Sequence, residues 1–271
     1  MFYSLQPSAF RLNIRKGRLM EKKWIAGTPR LWRDIPVIIP FCPGCQHGTA
    51  VKALCEVIDE LGMEKNSVLV VGIGCYTMAS ILVDVDSAMI AHGRACDVAS
   101  AMKRIVGKDT MVLTWQGDGD ALAIGCEPTI HAAARSEKIT TFMINNGNYG
   151  TTGGQLAPTT PMGQVTTTTP FGRTQDQGYP IQAAEFIGSL KGVAYAARGA
   201  FTNPANYQKT KKYMKKALEK QRDGVGYSFV EILSTCPANW HMSPLDSLKR
   251  VEEEVIPLFP LGEFKDVDKI E

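Results

Sequence analysis

The chain has 271 residues, 44% hydrophobic and 21% charged, enough to bury a core in one large α/β domain or two small ones. A net charge of +3 is too mild to argue for a nucleic-acid partner, and no run of 18 apolar residues is present to cross a membrane. Residues 1–24 mix basic and apolar side chains without the apolar stretch or small-residue cleavage site of a secretory signal, so a cytoplasmic protein is expected.

Residues 1–40 are irregular, proline-punctuated and end in the apolar "VIIP"; they read as an arm that packs on a neighbouring subunit, ahead of a single domain over 41–271. From Gly48 the spacing predicts a helix with Val51, Leu54, Cys55, Ile58 and Leu61 on one face. "SVLVVGIGC" reads as a buried strand ending in a glycine turn at Cys75. "RACDVASAMKRIVG" reads as a helix with Ala95, Val98, Ala99, Met102 and Ile105 aligned and Gly107 as its stop. "TMVLTWQGDGD" repeats the strand-into-glycine pattern, and "ALAIGCEPTIHAAARSE" is helical with a break at Pro128. "ITTFMINNGNYG" is a further strand running into a polar turn.

Thirty residues follow from Thr151 to Pro180, with nine threonines and no periodicity; a loop of that length inside a domain points to a functional loop over a ligand. "GVAYAARG", a helix carrying Lys209, Lys211, Lys212, Lys215, Lys216 and Lys220, and "YSFVEILSTC" complete the alternation. Tyr213, Met214, Ala217 and Leu218 form that helix's inner face; its lysines read as a solvated face, with an acidic partner as the alternative. The pattern as a whole predicts an α/β fold with a mostly parallel, helix-covered sheet. Ligands of such sheets bind at the carboxyl ends of the strands, where Cys75, Asp118, Asn146 and Cys236 all fall.

Seven cysteines, an odd number without an export signal, speak against a disulfide framework and for metal or cluster ligation. "CPGC" places Cys42 and Cys45 three apart, a spacing that leaves Zn²⁺ and iron–sulfur both open. It is not a c-type haem motif, because the histidine comes one position late, at His47. Cys55, Cys96 and Cys126 read as structural thiols, and His131 and His241 as structural histidines. His47 either caps the first helix or approaches a ligand.

"QGDGDALAIG" and "INNGNYG" form a second constellation, with 25 residues between Gly119 and Asn145. Glycines let backbone N–H groups approach a phosphate. Asp118, the Asn146 side chain and the Asn148 carbonyl supply hard oxygens for Mg²⁺, which completes its shell with phosphate and water.

This pairing resembles the diphosphate-binding signature of thiamine diphosphate enzymes. "CPGCQHG", "GIGC", "HGRA", "GDGDALAIG", "NNGNYGTTGGQLAPTT" and "STCPANW" occur in the order found in beta subunits of 2-oxoacid:ferredoxin oxidoreductases. "TTTTPFGR", "TNPAN" and "FPLGEFKD" resemble the 2-ketoisovalerate, or branched-chain, type. The resemblance implies a thiamine diphosphate-binding fold and one [4Fe–4S] cluster on Cys42, Cys45, Cys75 and Cys236. It also implies Mg²⁺ on Asp118, Asn146 and Asn148. Ile73, Gly74, Cys75, Tyr76, His92, Gly117, Gly119, Asp120, Gly150 and Thr151 would line the cofactor, with His92 and Tyr76 as the catalytic candidates. For His92 a purely structural histidine is the alternative.

The implied reaction is coenzyme A-dependent oxidative decarboxylation of a 2-oxoacid with reduction of ferredoxin. Implied partners are an alpha subunit supplying the activating glutamate and substrate contacts, and gamma and ferredoxin-like delta subunits or their fused equivalents. Gln46 departs from the glycine that most relatives carry in CPGCGHG. Relatives acting on pyruvate or 2-oxoglutarate tend to place a polar or basic residue shortly after the GIGC cysteine. Met78 in "CYTMAS" therefore argues for an aliphatic or aryl substrate, while 2-oxoglutarate and pyruvate stay open. Readings of other classes are a non-catalytic iron–sulfur electron-transfer subunit and a zinc-binding interaction module.

Overall fold

The computed structural model describes residues 28–33 and 40–271, so most of the expected N-terminal arm lies outside the described residues. The strands are β1 (Ser67–Val71), β2 (Asp86–Met89), β3 (Met111–Gly117), β4 (Thr140–Asn145), β5 (Val193–Ala200), β6 (Tyr227–Leu233) and β7 (Gly262–Asp266). They form one sheet in the order β2-β1-β3-β4-β6-β5-β7, parallel throughout except for β7, which runs antiparallel to β5. The helices that cover it are α1 (His47–Leu61), α2 (Ala79–Leu82), α3 (Ala95–Val106), α4 (Cys126–Ala134), α5 (Ala183–Gly188) and α6 (Pro204–Arg222); α7 (Pro237–Trp240) and α8 (Pro244–Arg250) follow β6.

Successive strand residues point to opposite faces, and each face has its own core. Leu69, Val71, Leu113, Trp115, Phe142 and Ile144 pack with α1, α2 and α6. Val70, Val112 and Met143 pack on the other side with α3, α4 and α5. β3, β4, β5 and β6 are buried along their whole length, which is why their sequences read as continuous runs and not as alternation. Each large side chain buried here contributes roughly 1.5–3 kcal/mol.

Local signals set the helix ends. α1 stops where Gly62 turns left-handed at φ 63°, and α6 starts where Asn203 accepts the Asn206 N–H at 2.9 Å ahead of Pro204. The break expected at Pro128 falls at Gly125 instead. Asp120–Ile124 form one wide turn, α4 begins at Cys126, and Pro128 sits in its first turn, where a missing N–H forfeits no helical bond.

Two expectations need correction. Ile105 is 83% exposed, and the inner face of α3 is Ala95, Cys96, Ala99, Ser100 and Lys103. Val98 and Met102 still pack against the core, and Lys103 is buried with its ammonium donating to the Lys108 and Thr110 carbonyls at 3.1 and 2.6 Å. The lysines of α6 do not simply face solvent either. Lys211 pairs with Glu56 and Glu60 of α1 at 2.7 and 2.6 Å, and Lys216 and Lys220 hold Asp266 of β7 at 3.0 and 2.8 Å.

Candidate functional site

β1, β3, β4 and β6 are neighbours and parallel, so the turns after them share one edge of the sheet. A cleft opens there. Ile73, Gly74, Cys75 and Tyr76 line it from the turn after β1, and Gly117, Asp118, Gly119 and Asp120 from the turn after β3. Asn146, Asn148, Gly150 and Thr151 line it from the turn after β4, and His92 from the loop before α3. His47, Ile144, Tyr149 and Thr152 complete the wall. No lysine, arginine or glutamate is among these lining residues.

Asp118 is 2% exposed and accepts the Thr159 hydroxyl at 2.5 Å. Burial pushes its carboxyl up to about 7, against the Thr159 hydroxyl and nearby backbone N–H groups, which favour its charged form. The next turn is closed on itself. The Asn148 N–H donates to Asn146 Oδ1 at 3.3 Å, and Asn148 Nδ2 donates to the Asn146 carbonyl at 3.0 Å. Gly147 sits between them at φ 64°, a conformation that suits glycine. A buried carboxylate beside amide oxygens is a hard donor set of the kind Mg²⁺ takes. The residues present therefore fit that ion.

The glycines of GDGD have a second task. A Cβ on Gly119 would overlap the Tyr149 ring, and one on Gly117 would come to 3.0 Å from the Tyr76 ring. They let two aromatic walls close on the turn as well as exposing its N–H groups.

Asp120 is 1% exposed and ties three elements together. It accepts the Gly93 N–H, the Gln116 amide at 3.1 Å, and faces His92 Nδ1 at 3.3 Å. Burial raises its carboxyl, and the Tyr76 hydroxyl lies beside it without a hydrogen bond of normal geometry. His92 Nδ1 is 2.8 Å from the Ile73 carbonyl, and a carbonyl only accepts, so Nδ1 carries the proton of that bond. Nε2 is the ring position left to exchange one.

Of the residues after Cys75, Tyr76 lines the cleft, while Thr77 and Met78 do not. The Thr77 hydroxyl is spent inside the turn, donating to the Gly72 carbonyl at 2.6 Å and accepting the Gly74 N–H at 2.8 Å. Met78 does not line the cleft, and Ile73, 48% exposed, supplies apolar surface there instead.

Cys42 and Cys45 are held in a turn closed by the Cys45 N–H on the Cys42 carbonyl at 2.9 Å. Thr235 ties that turn to the end of β6 by donating to the Gly44 carbonyl at 2.6 Å. Gln46, the departure from relatives, donates to the Phe201 carbonyl at 3.1 Å, a tether that glycine could not make. Thr151 donates to Cys75 Sγ at 3.0 Å, and Asn239 to Cys236 Sγ at 3.3 Å.

Burial pushes the Cys45 thiol up to about 12, and the charges of Cys236, Cys75 and Cys42 add to the rise, so the four are electrostatic neighbours. Among the described residues, no three His, Cys, Asp or Glu side chains converge on a single ion. His47 Nδ1 lies 3.1 Å from Cys45 Sγ on the wall between these thiols and the cleft; burial pulls its pKa down to about 4. Cys55 and Cys96 are buried, and His131 and His241 are exposed and do not line the cleft.

The threonine-rich loop is organised by Arg173, which donates to the Pro158, Thr160 and Gly178 carbonyls at 3.2, 2.6 and 2.8 Å. That hub delivers Thr159 to Asp118 and Thr160 to the Gly147 carbonyl, at 2.7 Å. Sequence reasoning named the loop without these two residues. The signal available was "APTTP" closely following the asparagine turn.

Residues 72–232 match the family "Thiamine pyrophosphate enzyme, C-terminal TPP binding domain". The chain is 42% identical over 233 residues to a ketoisovalerate oxidoreductase subunit of Methanothermobacter marburgensis, covering 85% of this chain and 48% of that protein. It thus spans about half the length of that relative. A 2-oxoglutarate synthase subunit of Archaeoglobus fulgidus is 34% identical over 214 residues, covering 79% of this chain and 75% of that one. The fold is similar to that of a 2-oxoglutarate:ferredoxin oxidoreductase from Magnetococcus marinus, with a TM-score of 0.72 at 23% identity, over 91% of this chain and 87% of that one.

Proposed function

The chain belongs to the thiamine pyrophosphate enzymes and, among them, to the 2-oxoacid oxidoreductase subunits; on that footing we propose that it is the cofactor-binding subunit of a 2-oxoacid:ferredoxin oxidoreductase. Its complex would convert a 2-oxoacid and coenzyme A to an acyl-coenzyme A, carbon dioxide and a proton, passing two electrons to ferredoxin. The observation that carries this reading is the meeting of Asp118, Asn146, Asn148, Cys75 and His92 in one cleft at the strand ends.

Bound thiamine diphosphate supplies a carbon nucleophile and an electron sink for the decarboxylation. Asp118, the Asn146 side chain and the Asn148 carbonyl would hold Mg²⁺, with the Gly117–Asp120 and Gly150–Thr151 turns against the diphosphate. His92, its Nδ1 committed to Ile73, would move a proton through Nε2, beside the Tyr76 ring in the cleft wall. Cys42, Cys45, Cys75 and Cys236 would hold a [4Fe–4S] cluster. The CPGC spacing by itself leaves Zn²⁺ and iron–sulfur both open, and the likeness to 2-oxoacid oxidoreductase subunits is what favours the cluster. A partner subunit would supply the activating carboxylate, since no glutamate is among the described lining residues.

We assign a branched-chain 2-oxoacid as the substrate. Among the described residues the lining holds no lysine or arginine to pair with a second substrate carboxylate, and Ile73 presents apolar surface. The 2-oxoglutarate synthase relatives favour the competing substrate. Steady-state assays of the purified complex with 2-oxoisovalerate and with 2-oxoglutarate decide between them. The branched-chain reading expects kcat/KM at least ~100-fold higher for 2-oxoisovalerate, as an unpaired buried carboxylate demands; the reverse order contradicts it.

A further inference from the structure

Beneath the asparagine turn the sheet buries a full charge pair. Arg198 on β5 and Glu231 on β6 are register partners, and both side chains are 0% exposed. Arg198 Nε donates to Glu231 Oε2 at 2.8 Å, and the Ala184 N–H reaches the same oxygen at 3.2 Å. The guanidinium is anchored from behind by Glu185 at 2.9 Å and the Pro260 carbonyl at 3.0 Å. The remaining oxygen, Glu231 Oε1, accepts Asn145 Nδ2 at 2.7 Å. Asn145 then uses its own Oδ1 to accept the Gly147 N–H at 3.1 Å.

Stability alone does not account for this arrangement, since well-packed apolar residues are often as stable as a buried ion pair. What apolar residues cannot do is orient an amide. An ionised carboxylate only accepts, so it forces the NH₂ of Asn145 toward Glu231 and the oxygen toward Gly147. The oxygen thereby fixes the middle of the turn that carries Asn146 and Asn148.

We propose that Glu231, clamped by Arg198, is a positioning residue that sets the metal-binding turn through Asn145. This rests on the reading of Asp118, Asn146 and Asn148 as the Mg²⁺ site. It assigns a role to three buried residues that do not line the cleft.

The test is calorimetric titration of thiamine diphosphate into the purified complex across a Mg²⁺ series, alongside melting of the cofactor-free complex. Glu231→Gln and Asn145→Asp each disturb the relay, and each should raise the Mg²⁺ concentration for half-saturation by ~10-fold or more. The double variant E231Q/N145D rebuilds the relay with its polarity reversed: the amide on β6 now donates to the carboxylate on β4, which still accepts from Gly147. It should return to within ~3-fold of wild type, the signature of a coupled pair. Asn145→Ala leaves the Arg198–Glu231 pair intact, so it keeps the experiment informative if Glu231→Gln folds poorly; it should lose Mg²⁺ affinity. Wild-type Mg²⁺ dependence in the single variants, or no recovery in the double, overturns the inference while leaving the functional reading standing. A wild-type complex that takes up no thiamine diphosphate overturns both.

Discussion

Thr159 reaches Asp118 from 41 residues along the chain, and its hydroxyl is what the buried carboxylate meets from the threonine-rich loop. Thr159→Val keeps the shape and removes that bond, so Mg²⁺-dependent thiamine diphosphate binding should weaken by roughly 10-fold. Unchanged affinity by titration would show that the hydroxyl only packs. The contact also marks the limit of sequence reading at this scale. Asp118, Asn146 and the glycines announce themselves by type and spacing, because their chemistry requires those residues. Thr159, Arg198 and Glu231 carry no such signature: each is an ordinary residue whose partner is supplied by a distant strand or loop. Met78 shows the opposite error, a residue made prominent by its neighbours in sequence but absent from the cleft wall.

Among the elements, α1 and α6 are joined by Lys211, which bridges Glu56 and Glu60. Burial alone would raise Glu56, but the hydrogen bonds from Lys211 and Lys52 outweigh it and hold the carboxyl below its ordinary value of 4.5; Lys211 and Lys215 do the same for Glu60. A carboxylate depressed by folding lends stability that is full above its unfolded value and lost as pH falls through the folded one. Lys211→Met should therefore cost about 1 kcal/mol at neutral pH, a figure limited by solvent screening. The variant should also flatten the fall of Tm between about pH 5 and 3. Parallel Tm–pH curves for variant and wild type would contradict the bridge.

The central strands were legible because each is buried on both faces and rich in β-formers. β2 and β7 were not. "DSAM" and "GEFKD" are short, polar edge segments whose pairing is decided by the strand beside them. Ile105 failed as an inward marker: it is exposed near the end of α3, while Lys103 two residues earlier is buried.

For the molecule as a whole, the parallel sheet converts sequence order into a chemical neighbourhood: four adjacent strand ends bring the cysteine, glycine–aspartate and asparagine motifs together. The chain spans about half of the ketoisovalerate oxidoreductase subunit it matches. The most direct test of the central claim is the content of iron, sulfide, zinc and thiamine diphosphate per chain in the complex purified without oxygen. EPR spectra recorded before and after 2-oxoisovalerate with coenzyme A complete it. After subtracting the clusters of any ferredoxin-like partner, the account expects four irons and one thiamine diphosphate per copy of this chain, with cluster reduction driven by substrate. Zinc in place of iron, or a complex devoid of thiamine diphosphate, would contradict it.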